Sequence, residues 1–170
     1  MKKVLIMGCP GAGKAKLAAQ LGRITGLDVY HIKDDRYSEW HNEDQKRAWR
    51  EAVAKIIEKD SWIIEGTQSI TYDMRIEAAD TVLFIRQKTF DCLSKFIKRG
   101  LKSYFGRSDG HQRLNRDMFK KIVAYHKVLK PLVDDLIEKN KSHLDVIFFD
   151  TEQDIEKYLE EMRTELKQGK

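Results

Sequence analysis

Val4-Leu5-Ile6-Met7-Gly8-Cys9-Pro10-Gly11-Ala12-Gly13-Lys14-Ala15-Lys16 is the stretch that decides the fold. Val4 to Met7 form a short apolar run of the length of a buried parallel strand. Gly8 to Lys14 then read G-x-x-x-x-G-K, the pattern of a phosphate-binding loop. Gly8, Gly11 and Gly13 permit backbone angles that a side chain forbids. Successive N–H groups in such a loop turn inward and surround an anion. Lys14 adds a point charge able to reach the β- and γ-phosphates of a nucleotide. Ala18, Ala19, Leu21 and Ile24 continue as a helix whose positive N-terminal end faces the same anion, and Gly26 stops it. The expected nucleotide contacts are therefore Gly8, Cys9, Pro10, Gly11, Ala12, Gly13, Lys14 and Ala15. The last of these breaks the pattern. A Ser or Thr hydroxyl normally follows the lysine and ligates magnesium; here Ala15 and Lys16 stand instead.

The rest of the chain frames this loop. At 170 residues it fits one domain, 1–170, with a good-sized core. Charged residues are 35% and hydrophobic ones 41%, as in a soluble globular protein. No run of about 18 apolar residues exists to span a membrane. Met1-Lys2-Lys3 and the apolar run after it are too short for a signal peptide, and the loop motif claims them. Cys9 and Cys92, the 2 cysteines, lack metal-ligand spacing and point to free thiols in a reducing, cytoplasmic compartment. Cys9 reads as a small filler of the loop, although positive potential there could also lower its pKa. The net charge is +5. It is concentrated between Lys95 and Lys130, which speaks for a polyanionic partner, triphosphate or nucleic acid.

Apolar runs and helical periods alternate along the chain. Val29 to Ile32 read as a second strand, ending at Lys33-Asp34-Asp35-Arg36. Ligands of open parallel sheets bind beyond the carboxyl ends of strands, so Asp34 or Asp35 is placed to orient a substrate hydroxyl or hold a metal-bound water. An exposed charged turn would look the same. His31, alone beside an apolar run, reads as structural. Residues 42–59 form an amphipathic helix capped by Asn42, with Trp49 on its core side. Trp62-Ile63-Ile64 is the third strand, closed by Glu65-Gly66. An acidic residue there is the second half of many phosphate-loop enzymes, acting on magnesium through water. Thr67, Gln68 and Ser69 follow with hydrogen-bonding groups, then Arg75 in a short helix.

Thr81 to Ile85 make the fourth strand, and Phe90 to Tyr104 a helix carrying Arg99. Residues 104–116 hold two glycines with Arg107, Arg113 and Arg116, the composition of a mobile lid whose arginines arrive on closure. Arginine suits bidentate contact to phosphate oxygens; a solvated basic loop is the plainer alternative. A helix from Arg116 to Leu129 should break or restart at Pro131. Leu144 to Phe149 are the fifth strand, and Thr151 caps a final helix that should fray from Lys167. The class is a three-layer α/β/α sandwich with a five-stranded parallel sheet and right-handed connections.

The order phosphate loop, Val-Tyr-His-Ile, Trp-Ile-Ile-Glu-Gly, Arg-Ile-Glu-Ala-Ala-Asp-Thr-Val-Leu-Phe and an Arg-rich segment resembles the bacterial DNA topology modulation proteins (FlaR-like), relatives of adenylate and shikimate kinases. The resemblance runs from Met1 to about Arg116. It implies a P-loop NTPase fold of the nucleoside-monophosphate-kinase kind, strand order 2-3-1-4-5, ATP at Gly8–Lys14 and an acceptor near Asp34 and Arg75. The chain departs from that pattern at Ala15-Lys16, at Glu65-Gly66-Thr67-Gln68 and at Lys33. The family name describes an effect on DNA, so no substrate is carried over.

The first functional expectation is a kinase using ATP and Mg2+ on a small-molecule acceptor. Lys14, Arg99, Arg107 and Arg113 would serve catalysis. Asp34, Asp35, Arg36, Gln68 and Arg75 would bind substrate, and Glu65 would hold metal through water. The second is a nucleotide-binding module that has lost turnover, which Ala15 favours. The third is a nucleic-acid binder using the basic patch, without a recognition helix or stacking motif to support it.

Overall fold

The computed structural model describes residues 1–32, 42–104 and 116–168. Strands β1 (Lys3–Gly8), β2 (Val29–His31), β3 (Trp62–Glu65), β4 (Thr81–Ile85) and β5 (Asp145–Phe149) form one sheet in the order β2-β3-β1-β4-β5. Every pairing is parallel. The helices are α1 (Lys14–Thr25), α2 (Glu43–Ile57), α3 (Tyr72–Ala78), α4 (Thr89–Tyr104), α5 (Arg116–Ala124), α6 (Lys130–Asn140) and α7 (Glu152–Gln168).

Strand side chains alternate between two faces, so β1 feeds two cores. Val4 and Ile6 pack with Leu17 and Leu21 of α1, Phe96 of α4, Ile122 of α5 and Leu159 of α7. Leu5 and Met7 pack with Val53 of α2, Tyr72 and Ile76 of α3 and Val133 of α6. The central strands β1, β3 and β4 are therefore apolar on both faces, as a parallel sheet covered by helices requires. The amino-terminal edge is tied by Asp80, whose carboxylate accepts from the N–H of Lys2 at 2.7 Å and of Lys3 at 2.9 Å.

Local signals set the element ends. Asn42 Oδ1 accepts from the Asp44 N–H at 2.9 Å, and Thr151 Oγ1 from the Asp154 N–H at 3.1 Å, so both caps form as expected. Of the outcomes open at Pro131, the start of a second helix is the one found: α5 passes through a π-helical turn, Tyr125–Leu129, into α6, with Pro131 in the first turn of α6. Proline is tolerated there because that N–H has no helical acceptor anyway. The final helix runs through Gln168, so Lys167 is helical, not frayed. Asp34, Asp35, Arg36, Arg107, Arg113 and the interior of the expected 104–116 lid lie outside the described residues.

Candidate nucleotide and acceptor site

The carboxyl ends of all five strands, Gly8, His31, Glu65, Ile85 and Phe149, fall along one edge of the sheet. The phosphate loop leaves β1 at the middle of that edge. Gly8, Gly11 and Gly13 all have positive φ. Gly13, at φ 101°, has no atom within 4 Å of where a Cβ would stand, so backbone angle alone selects glycine there. A tight turn closes the loop, the Ala12 N–H donating to Cys9 O at 3.1 Å. Gly13 then caps α1, whose first-turn N–H groups have no intrahelical partners.

Lys14 is only 7% exposed. Its Nζ donates to the carbonyl oxygens of Gly8 at 3.0 Å and Cys9 at 2.9 Å, so the ammonium lies folded onto its own loop. Cys9 points the other way, into the core beside Cys92. Its hydrogen bond to Cys92 and its burial push the Cys9 thiol well up, and the nearby Lys14 only partly offsets this. Fully buried in the core, Cys9 fits the filler reading, and the Cys92 hydrogen bond first and burial second act against an activated thiol. Ala15 is partly exposed at the start of α1.

Beside the loop, β2 and β3 bring His31 and Glu65 into register. His31 Nδ1 lies 2.7 Å from Glu65 Oε1; the carboxylate side chain is 2% exposed and the imidazole 47%. Sequence reasoning set His31 aside as structural. The signal that finds it is positional: His31 and Glu65 each close a strand, and those strands are neighbours in the sheet. Among the described residues no group of three or more His, Cys, Asp or Glu side chains is placed to hold a metal ion.

After Glu65 the chain turns at Gly66 and passes through Gln68 to a short 3-10 turn, Ser69–Thr71. Arg75 does not stand in the open. It is 0% exposed and lies behind this loop. Its guanidinium donates to the carbonyls of Thr71 at 3.1 Å, Gly66 at 3.3 Å and Gln68 at 2.5 Å, and packs over the Tyr72 ring. From one turn into α3 it thus fixes the loop's shape. Gln68 is 6% exposed, and its Oε1 accepts from Trp49 Nε1 of α2. Gln68 Nε2 and Thr71 Oγ1 are buried without a hydrogen-bond partner. Trp49 packs against the α2–α3 core as the helical spacing indicated.

On the other side of the loop, Arg86 after β4 makes a two-pronged ion pair with Asp150 after β5, at 2.9 and 2.8 Å. Lys95 of α4 bonds Gln87 at 3.1 Å and Glu152 at 2.5 Å. That contact, together with Lys95 and Lys16 charge, holds the Glu152 carboxyl below its ordinary range. Arg99 lies on α4, one helical turn beyond Lys95.

No family model and no curated protein matches the chain. Solved structures do. Shikimate kinase from Acinetobacter baumannii in complex with shikimate is 11% identical with a TM-score of 0.60, over 100% of this chain and 95% of that one. Deoxyadenosine kinase from M. mycoides with products dCMP and a flexible dCDP is 14% identical with a TM-score of 0.56, over 98% and 99%. The same enzyme with bound dATP gives 14% and 0.54, over 96% and 98%. The five-stranded parallel sheet in the order β2-β3-β1-β4-β5 matches the fold of these neighbours, and the chain has the fold of the P-loop kinases.

Proposed function

We propose that this chain is a P-loop kinase that binds ATP at Gly8–Ala15 and passes the γ-phosphoryl group to a small molecule. The observation that carries the reading is the loop itself. Three positive-φ glycines, a buried Lys14 and the start of α1 converge at the middle of the sheet's carboxyl edge. The acceptor would sit on the β2–β3 side, among Asp34, Asp35, Arg36, Glu65 and Gln68, with Arg75 holding that wall in place. The acceptor's oxygen attacks Pγ, the Pγ–O bond to ADP breaks, and a hydroxyl acceptor releases its proton. Positioning and electrostatics do most of the work in such a transfer. Lys14, Arg99, Arg107 and Arg113 would steady charge on the transferred group. The resemblance to topology modulation proteins agrees with this reading, and the location we propose with it is the cytoplasm.

Magnesium, when bound, would neutralise phosphate charge. Among the described residues little is offered to it directly: Ala15 has no hydroxyl, and one Glu65 oxygen faces His31. Nucleotide phosphates and waters would hold the ion, with Glu65 acting through water. Ala15 equally favours a nucleotide-binding protein that has lost turnover.

Thermal denaturation tests the binding step. ATP at a hundredfold excess over its Kd should stabilise the native state by about 2.7 kcal/mol, and Lys14→Ala should remove most of that gain. No shift at millimolar ATP would end every nucleotide reading. A screen of nucleosides, nucleotides and hydroxylated metabolites for ATP consumption separates kinase from silent binder.

A further inference from the structure

The loop after β3 carries a donor with nothing to donate to. Gln68 is almost wholly buried, and the Trp49 indole N–H donates to its Oε1. An indole nitrogen donates and never accepts. The carboxamide therefore has one orientation, oxygen toward Trp49 and NH2 away from it. Nε2 then meets no hydrogen-bond partner. Buried polar groups are nearly always paired, so an orphan donor calls for an explanation.

The orphan is not the product of a slack loop. Arg75 grips the carbonyls of Gly66, Gln68 and Thr71 from behind. Arg50 of α2 donates to Ile70 O and pairs with both Asp73 oxygens, at 3.0 and 2.8 Å. Two arginines thus fix the backbone on which Gln68 stands, and Trp49 fixes its amide. Gln68 stands three residues past Glu65, at the edge where open parallel sheets bind ligands, and its buried, firmly held NH2 is a donor that a ligand seated against this wall would satisfy.

We infer that Gln68 Nε2 is the contact that reads the phosphoryl acceptor, and that Trp49 is the positioning residue that aims it. This rests on the kinase reading for the acceptor's place on the β2–β3 side. The ligand must present a hydrogen-bond acceptor and no donor at that point: a ring carbonyl, an unprotonated ring nitrogen, or a carboxylate oxygen. A ligand group that only donates would face the amide NH2 donor to donor and be rejected.

The test is a 1H–15N titration of the full chain, with the Trp49 indole and Gln68 carboxamide signals assigned through Trp49→Phe and Gln68→Glu. The probes are cytidine, offering a neutral carbonyl and ring nitrogen, and 4-hydroxybenzoate, offering a carboxylate. One of them should shift the Gln68 NH2 signals, and only the carboxylate response should weaken with salt. Gln68→Glu keeps an acceptor for Trp49 but replaces the donor by a negative oxygen, so Kd for that probe should rise at least about tenfold. Trp49→Phe keeps a ring in the core but frees the amide, so Kd should rise severalfold. ATP-induced shifts of the loop amides should persist in both variants. A merely structural Gln68 would bind both probes as well after Gln68→Glu. That result, or silence of the Gln68 signals toward both probes while ATP still shifts the loop, overturns the proposal. A Gln68 response without any ATP response would instead sink the kinase reading and leave this contact standing.

Discussion

Gly66→Ala is the substitution that should hurt this fold most for the fewest atoms. Gly66 has φ +145°, a region nearly closed to other residues. It also sits where β2 and β3 come closest beyond their ladder, the Ile32 N–H donating to Glu65 O at 2.7 Å. A Cβ at Gly66 would stand 2.0 Å from Ile32 O and 2.7 Å from Ile32 C. Both are backbone atoms, so no flexible side chain can swing aside. Backbone strain costs about 1–3 kcal/mol, and forcing packed groups apart about 1–3 kcal/mol more. Together these give roughly 2–6 kcal/mol. For a domain of this size 1 kcal/mol moves Tm by about 2–4 °C, so the loss should be on the order of 10 °C. Gly26→Ala is the control. Gly26 also has positive φ, at +75°, but nothing lies within 4 Å of its Cβ position. It should lose only the left-handed backbone term, about 1–2 kcal/mol. Circular dichroism melts of both variants decide the matter. Equal melting temperatures would mean that the Ile32–Gly66 approach is not tight, and that the β2–β3 end of the site is looser than described.

Three further outcomes are expected. Ala15→Ser should restore a magnesium contact worth about 1–3 kcal/mol, lowering the magnesium needed for half-maximal ATP binding and raising turnover roughly tenfold to a hundredfold; identical magnesium titrations would remove the metal from this position. Burial raises the Asp80 carboxyl, but hydrogen bonds from Thr81 Oγ1 and the N–H groups of Lys3 and Lys2 outweigh it and leave its pKa low. Its contribution is therefore full above the unfolded carboxylate range near pH 4 and lost as pH falls through the folded value. Asp80→Asn should lower the urea-unfolding free energy at pH 7 by about 1–3 kcal/mol and much less at pH 2; an equal loss at both pH values would refute the assignment. Cys9 and Cys92, both buried and with the Cys9 thiol pushed up, should resist a thiol-specific disulfide reagent at pH 8 until urea exposes them; rapid reaction of the native protein would contradict the burial.

The parts of the fold legible in sequence are those where one physical rule acts alone. A buried run followed by Gly-x-x-x-x-Gly-Lys permits little besides strand, loop and helix, and that is what β1 and α1 form. The strand order is not written in any periodicity; it came from resemblance, since five parallel strands admit several windings. Pro131 left a break, a kink or a new helix open, because its effect depends on which helical position it occupies, and only the three-dimensional path sets that. Arg75 reads as a substrate ligand through the resemblance, which implies an acceptor near it. Its turn on α3 faces the backs of three carbonyls instead, a relation invisible without the fold. His31 shares the same difficulty, and Gln68 reads as a substrate ligand in sequence without anything to orient its amide. Each becomes informative only through a partner from another element, Glu65 for one and Trp49 for the other.

The placement of Lys14 links the fold to the proposed chemistry. A buried lysine left without acceptors would cost several kcal/mol. Here Gly8 O and Cys9 O receive its protons, and the same contacts brace the loop in its open-handed shape. An arriving triphosphate would offer charged oxygens in place of neutral ones, adding charge–charge attraction to hydrogen bonds that the ammonium already makes charge-assisted. The exchange therefore favours the ligand without first exposing a bare charge or building the loop anew. The burial of Cys9 serves the same end, anchoring the loop from below through the core that holds Cys92 and Phe96. Loop shape is thus set by packing beneath and lysine bonds within, which is the preorganisation that the proposed phosphate binding would use.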